Sequence, residues 1–194
     1  MIKSIINELR ISIIATACLA VLLCGVYPAI VWGIAQGLFH SQANGSLVSV
    51  KGQVIGSSLL AQSFTGASYF HPRPSAAGDG YDAVSSGGSN LGPTSQKLIA
   101  TVKERVAAYR AENKLAPEVL IPADAVTASA SGLDPHISVQ NALLQASRVA
   151  GVRGISEEAL RKMIASRTEG RDLGIFGEPR VNVLMLNLDM DGKQ

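Results

Sequence analysis

The side chains able to do chemistry are concentrated in two Gly/Ser-rich stretches. The first, YFHPRPSAAGDGYDAVSSGGSN (69–90), brings together His71, Arg73, Ser75, Asp79, Asp82 and a run of serines. The second, VTASASGLDPHIS (126–138), offers Thr127, Ser129, Ser131, Asp134, His136 and Ser138. Such residues support a Ser–His–Asp relay or a His/carboxylate metal centre when a fold gathers them. The signatures that would commit them to one chemistry are missing. The chain has no G-x-x-x-x-G-K-[ST] phosphate loop, no H-E-x-x-H, no G-x-S-x-G elbow and no Ser three residues before a Lys. His40, His71 and His136 stand far apart in sequence, and they read as unrelated surface histidines. No catalytic residue and no metal ligand is expected. Cys18 and Cys24 lie inside an apolar run, where they serve as small packing residues with no zinc spacing.

The elements that must position these loops begin with a membrane segment. Among 194 residues the charge is low and nearly balanced at +2, which leaves no basic footprint for nucleic acid. Mean hydropathy is +0.24, and the excess is localised, because no Asp, Glu, Lys or Arg occurs from Ile11 to Val50. About 20 apolar residues cross a bilayer core roughly 30 Å thick. Residues 11–34 are therefore expected to form a retained transmembrane helix rather than a cleaved leader, with Pro28 kinking it and Tyr27, Trp32 and Phe39 near an interface. Lys3 and Arg10 precede the helix, so residues 1–10 are expected in the cytoplasm and residues 35–194 outside, anchored single-pass in the inner (cell) membrane. Ala15, Ala17, Ala20 and Gly25 would permit close approach of another membrane helix.

The remainder reads as one compact extracytoplasmic α+β domain. PTSQKLIATVKERVAAYRAEN predicts a helix capped by Thr94 or Ser95. Leu98, Ile99, Val102, Val106 and Tyr109 form its apolar stripe, and Lys103, Glu104, Arg105 and Arg110 face away. SVQNALLQASRVAGVRG predicts a helix capped by Ser138 and ending near Gly151 or Gly154. SEEALRKMIASRTEG predicts a third, capped by Ser156 and closed by Gly170. LVSVKGQVIGSSLLAQSF reads as short strands, and PRVNVLMLNLD as a β-favouring run.

The polar loops have recognisable backbone roles. Asn44-Gly45 and Asp79-Gly80 suit tight turns with positive φ, and Gly87-Gly88 allows close backbone approach. Arg73, held between two prolines, presents its guanidinium at low entropic cost. These features fit a partner-binding surface, a ligand-binding module or an anchored extracytoplasmic enzyme using His71, Asp134 or His136. The residues alone do not choose among the three.

Taken in order, VYP, QANGSL, GSSLLAQSF, YFHPRPSA, SGGSNLGPT, VTASASGLDPHIS with the downstream RVA, and GEPRVNVLMLNLD resemble the C subunit of the bacterial Kdp potassium-transporting P-type ATPase. The blocks run from Val26 to Asp189, with a loose match over 111–125. The resemblance implies an accessory subunit of an ATP-driven potassium import complex. Its partners would be a K⁺-channel-like pore subunit, the P-type ATPase catalytic subunit, a small single-span subunit and membrane lipid. It also implies a catalytic chaperone that raises the ATP affinity of the ATPase subunit. No cofactor would be bound tightly by this chain, and ATP and K⁺ would enter at the level of the complex. Because ATP is cytoplasmic and the flanking charges place the domain outside, the effect is expected to pass through the membrane subunits rather than by direct contact. On this reading Asn44, Phe70, Arg73, Ser75, the turn Gly87, Gly88, Ser89 and Asn90, and the stretch Ser129, Ser131, Asp134 and His136 form the docking surface.

Overall fold

The structure, a computed structural model, describes residues 2–192. Residues 1 and 193–194, the outermost ends of the expected tail and domain, lie outside that range. The chain divides into two compact units, with the boundary after Leu47.

The first unit is dominated by one apolar helix, Ile2–Leu38, of 37 residues, long and apolar enough to cross a membrane. At ~1.5 Å per residue it is about 55 Å long, well beyond a ~30 Å hydrocarbon core. The helical pattern thus continues past both ends of the expected 11–34 span. It consists of α1 (Ile2–Ala20), a π-helical turn (Val21–Val26) and α2 (Tyr27–Leu38). The π turn explains how Pro28 is accommodated. Proline has no N–H and its ring collides with the carbonyl four residues back, here that of Cys24. The Tyr27 N–H reaches the Leu22 carbonyl, five residues back, and this widened turn relieves the collision without breaking the helix. A short helix, α3 (His40–Ala43), follows. The turn after it carries positive φ at Gly45 (86°) and Ser46 (47°).

The second unit opens with the hairpin β1 (Leu47–Val50) and β2 (Gln53–Ser57). Lys51 and Gly52 between them both have positive φ, as a two-residue I′ turn requires. A long irregular stretch leads to α4 (Gln96–Asn113), whose cap Ser95 accepts from the Leu98 N–H. β3 (His136–Ser138) runs directly into α5 (Val139–Arg153), where Ser138 accepts from the Asn141 N–H and Gly154 adopts the left-handed conformation after the last turn. α6 (Glu157–Ser166), capped by Ser156, folds back on α5. β4 (Thr168–Glu169), β5 (Arg180–Asn182) and α7 (Val183–Met190) complete the unit. The three-stranded antiparallel sheet has the order β3-β5-β4, with Ile137 opposite Val181 and Thr168 opposite Val181.

One core is shared by the segment around Phe70, β3, α5, α6, β5 and α7. Phe70, Ile137, Ala142, Ala146, Val149, Leu160, Ile164, Val181, Val183 and Leu186 are all buried, with Phe64, Leu143 and Met163 packed around them. This is the expected α+β class, with three local departures. The β-favouring run at the end is a strand only through Asn182. There the Asn182 side chain accepts from the Met185 N–H and starts α7. A continuous apolar run of Leu, Met and Val fits a fully buried helix as well as a strand, and the cap residue decides. The third predicted helix ends at Ser166 rather than Gly170, because Thr168 and Glu169 are taken into the sheet against Val181 and Arg180. On α4, Ile99 is 51% exposed, whereas Arg105 and Arg110 are turned inward and donate to the carbonyls of Val126 and Val119. The stripe is narrower than its apolar residues suggest, and two arginine stems cover the surface instead.

Leu186 is fully buried in this core. Leu186→Ala is expected to destabilise the second unit by about 2–5 kcal/mol, read as a fall in the midpoint of thermal or urea unfolding.

Candidate functional site

The two polar stretches meet in space, as three loops bound to one another. The anchor is the segment at 69–71, which enters the core. Phe70 is 0% exposed. Its N–H donates to Asn187 Oδ1 (2.8 Å) and its carbonyl accepts from Asn187 Nδ2 (3.0 Å). Gln145 treats His71 in the same way, accepting from its N–H at 2.7 Å and donating to its carbonyl at 3.1 Å. Arg148 donates to the carbonyls of Ala67 and Tyr69, and Arg153 to that of Ser68. Two amides and two guanidiniums thus satisfy a backbone that has no strand partner.

From this anchor the loops are sewn together. Arg73 Nη1 donates to Asp134 Oδ2 at 3.0 Å. Ser75 Oγ donates to the Gly132 carbonyl (2.7 Å) and accepts from the N–H groups of Ala77 and Tyr81. The Tyr81 hydroxyl returns to the Arg73 carbonyl at 2.8 Å. Gly87 N–H donates to the Ser131 carbonyl (2.9 Å), and Ser86 Oγ donates to the same oxygen. Two glycines make this approach possible. A Cβ on Gly88 would lie 3.0 Å from the Ala130 carbonyl oxygen. One on Gly132, whose φ is +69°, would lie 2.6 Å from the Gly87 oxygen and 2.7 Å from the Ala77 nitrogen.

Asp134 is the electrostatic hub. Its Oδ1 accepts from the His136 N–H at 3.0 Å and lies 3.4 Å from His136 Nδ1. Burial alone would raise the pKa of this carboxyl. The hydrogen bonds from His136 and the charge of Arg73 outweigh that effect and hold it below its ordinary value of 3.8. A second network supports the cluster from behind. Asp124 accepts from the Ser138 N–H, Ser138 Oγ and Asn141 Nδ2. The Asn141 Oδ1 in turn accepts from the Tyr109 hydroxyl at 2.7 Å and from Gln145 Nε2 at 2.9 Å. Burial, and then the charge of Asp124, push the Tyr109 phenol pKa upward, so it stays a neutral donor. His71 Nδ1 lies 2.9 Å from Glu112 Oε1. Among the described residues no group of three or more His, Cys, Asp and Glu could hold a metal ion.

The expected docking residues divide accordingly. Phe70 cannot present itself to a partner, since it fills the core, and its aromatic ring is fixed there by the clamped backbone. Arg73 does not offer a free guanidinium, because its charge is paired internally with Asp134. Ser75, Gly87, Gly88 and Ser129 hold the loops together, with Ser129 Oγ accepting from the Asp134 N–H at 3.4 Å. Ser89, Asn90 and Ser131 lie exposed on the outside of the cluster. Asn44 belongs to the first unit, where its amide donates to the His40 carbonyl (2.7 Å) and Gln36 Oε1 (3.1 Å). Ala15, Ala17 and Ala20 lie on α1 and Gly25 in the π turn, all exposed in the isolated chain. The residues that sequence reasoning missed are Tyr81, Gln145 and Asn187. Gln145 and Asn187 carried a signal, since each is an amide set within an otherwise apolar helical run.

These features define a class: an α+β unit with a locked Gly/Ser loop cluster, in a chain bearing one helix able to cross a membrane. Known proteins narrow it. Residues 9–192 match the family of the K⁺-transporting ATPase c chain, KdpC. The potassium-transporting ATPase KdpC subunit of Koribacter versatilis is 53% identical over 188 residues, covering 97% of this chain and 96% of its own. That of Mycobacterium bovis BCG is 59% identical over 166 residues, covering 86% and 88%. That of Nitratidesulfovibrio vulgaris is 56% identical over 185 residues, covering 94% and 92%. The chain belongs to the KdpC family.

Two outcomes are expected at this site. Gly132→Ala should cost roughly 1–3 kcal/mol through its positive φ and the Gly87 and Ala77 contacts, measured by thermal unfolding. The contribution of Asp134 should be present above the ordinary carboxyl pKa and fade as pH falls through its lowered folded value. Protection of the His136 amide against exchange, corrected for the intrinsic rate, should therefore fall in acid. Asp134→Asn should exchange quickly at neutral pH and lose that acid dependence.

Proposed function

We propose that this chain is an accessory, non-catalytic subunit of a potassium-import ATPase complex. In this role it supports assembly and acts as a catalytic chaperone that raises the ATP affinity of the separate ATPase subunit. Membership of the KdpC family carries the first half of this reading. The loop cluster is its surface for partners: the Ser86–Asn90 turn and the Ser129–Ser131 bend, held from within by Arg73, Ser75 and Asp134, lie against the extracytoplasmic face of the K⁺-channel-like pore subunit. Pre-formed loops lose little entropy when they dock. The helix Ile2–Leu38 spans the inner membrane once, with residues 1–10 in the cytoplasm and the α+β domain outside. Ala15, Ala17, Ala20 and Gly25 lie against neighbouring membrane helices, and the small single-span subunit completes the complex. ATP and K⁺ are handled by the partners, and no cofactor is held by this chain.

From across the membrane, such a chain alters ATP affinity only by binding one conformation of its partners more tightly than another. The test is K⁺-stimulated ATP hydrolysis by the purified complex, titrated with ATP, with this chain present and then stripped away. The half-saturating ATP concentration is expected to rise on stripping, and an unchanged value in an intact remainder would refute the chaperone role. In the same preparation Ser89→Trp, which places bulk on the exposed face of the cluster, should reduce co-purification of the pore subunit while leaving the fold intact. Unchanged co-purification would remove the cluster from the interface.

A further inference from the structure

The π turn in the apolar helix leaves one backbone acceptor without a donor. A carbonyl inside a helix receives the N–H four residues on where the helix is α, and five residues on where it is π. The Leu23 carbonyl meets neither. The N–H four residues on, that of Tyr27, donates to Leu22 instead. The residue five on is Pro28, which has no N–H to give. The Val26 N–H lies inside the π turn, where bonds run five residues back, toward Val21. Side chains do not repair the gap. The positions from which a Ser or Thr hydroxyl reaches back to a helix carbonyl hold Val26 and Tyr27, and the ring of the tyrosine holds its hydroxyl away from the main chain. No residue of α1, the π turn or α2 is buried, so no other described part of the chain covers this oxygen.

Leu23 sits at the centre of the apolar span 11–34, roughly 17 Å from either end at ~1.5 Å per residue. That is more than half of a ~30 Å hydrocarbon core, so the carbonyl lies where water is absent and an unpaired polar group is costly. We propose that the Leu23 carbonyl accepts a hydrogen bond from a Ser, Thr, Asn or Gln side chain on a membrane helix of a partner subunit. The chemistry of the acceptor selects this occupant. Acyl chains of lipid carry no donor. A second copy in the same orientation brings Val21–Val26 to that depth, where the only polar side chain is the Cys24 thiol, a weak donor. Gly25 beside the acceptor has no side chain, and a Cβ there would meet no atom within 4 Å, so a neighbouring helix can come close. Small residues permit contact at many rotations, whereas a single acceptor fixes both the depth and the rotation of the helix. The inference rests on the membrane span proposed above and on membership of the complex, but not on the loop cluster as an interface.

The test reads that one carbonyl in the full-length chain. Leu23-Cys24 is the only Leu-Cys pair in the sequence, so ¹³C at the leucine carbonyls and ¹⁵N at the cysteines mark a single peptide bond in solid-state NMR. In phosphatidylcholine bilayers the chain alone should show the upfield shift of an unbonded carbonyl, and the signal should move downfield in the reconstituted complex. Pro28→Ala restores the missing N–H, so it should show the downfield value in the chain alone and no further change on assembly. The partner's donor then loses its acceptor, and retention of the partner subunits should weaken about threefold, as for one hydrogen bond between membrane helices. A bonded Leu23 carbonyl in the isolated wild-type chain, a shift that moves with the density of this chain alone, or no change on assembly would each overturn the inference. The first result assigns the donor to water or to the chain itself, and the second to another copy. Extraction of the chain from bilayers by alkaline carbonate would remove the membrane span as well, whereas a retained chain with an unbonded carbonyl in the complex overturns the inference alone.

Discussion

The second unit depends on one arrangement, the pair of side-chain amides that grip the backbone at Phe70 and His71. Asn187 and Gln145 are both buried, and each satisfies one N–H and one carbonyl of consecutive residues. A buried backbone with no strand beside it would otherwise leave four polar groups unpaired, at about 1–3 kcal/mol each. By substituting for a ladder, the amides let Phe70 enter the core and let the chain leave it immediately as a polar loop. Arg148 and Arg153 complete the grip on residues 67–69, and burial lowers the pKa of Arg148 although the nearby Glu112 opposes this. The guanidinium remains charged in either case, because its ordinary pKa is so high.

Everything outward of this anchor follows from backbone being brought close to backbone. Ser75 alone connects three segments, donating to Gly132 and accepting from Ala77 and Tyr81. Gly88 and Gly132 leave no room for a side chain between the loops. The hydroxyls that resembled a catalytic supply are consumed in turns, and the histidine and aspartate that resembled a relay are paired with each other and with arginine. His136 has a carboxylate on either side, Asp134 at 3.4 Å and Glu169 at 3.7 Å, with no serine hydroxyl among these contacts. The polar density of this surface therefore reflects construction, and among the loop residues expected to dock, Ser89, Asn90 and Ser131 are the ones left exposed.

Much of the scaffold was legible because its signals are local. Ser95, Ser138 and Ser156 cap helices as their positions indicate, and Gly154 ends one. The length of the apolar N-terminal run needs only composition. What could not be read depends on partners distant in sequence. Phe70 looks like an exposed aromatic beside a polar loop until Asn187, 117 residues away, is brought to it. Arg73 looks free between two prolines until Asp134 arrives across 61 residues. The α7 error has a different cause, since a run apolar on every side carries no periodicity, and Asn182 acts as a helix cap that propensity alone does not rank above a strand residue.

A rigid surface has a particular consequence for coupling. If the loop cluster docks without rearranging, this chain adds little flexibility of its own to the complex. Any influence on a distant site must then come from fitting one arrangement of the partners better than another. The coupling available equals the difference in contact free energy between those arrangements, of order 1–3 kcal/mol in typical allosteric systems. A rigid surface suits that task, whereas a flexible tail would adapt to both states and bias neither. Stiffness at the anchor, supplied by Asn187 and Gln145, is accordingly the property through which an accessory subunit built this way would favour one arrangement of its partners over another.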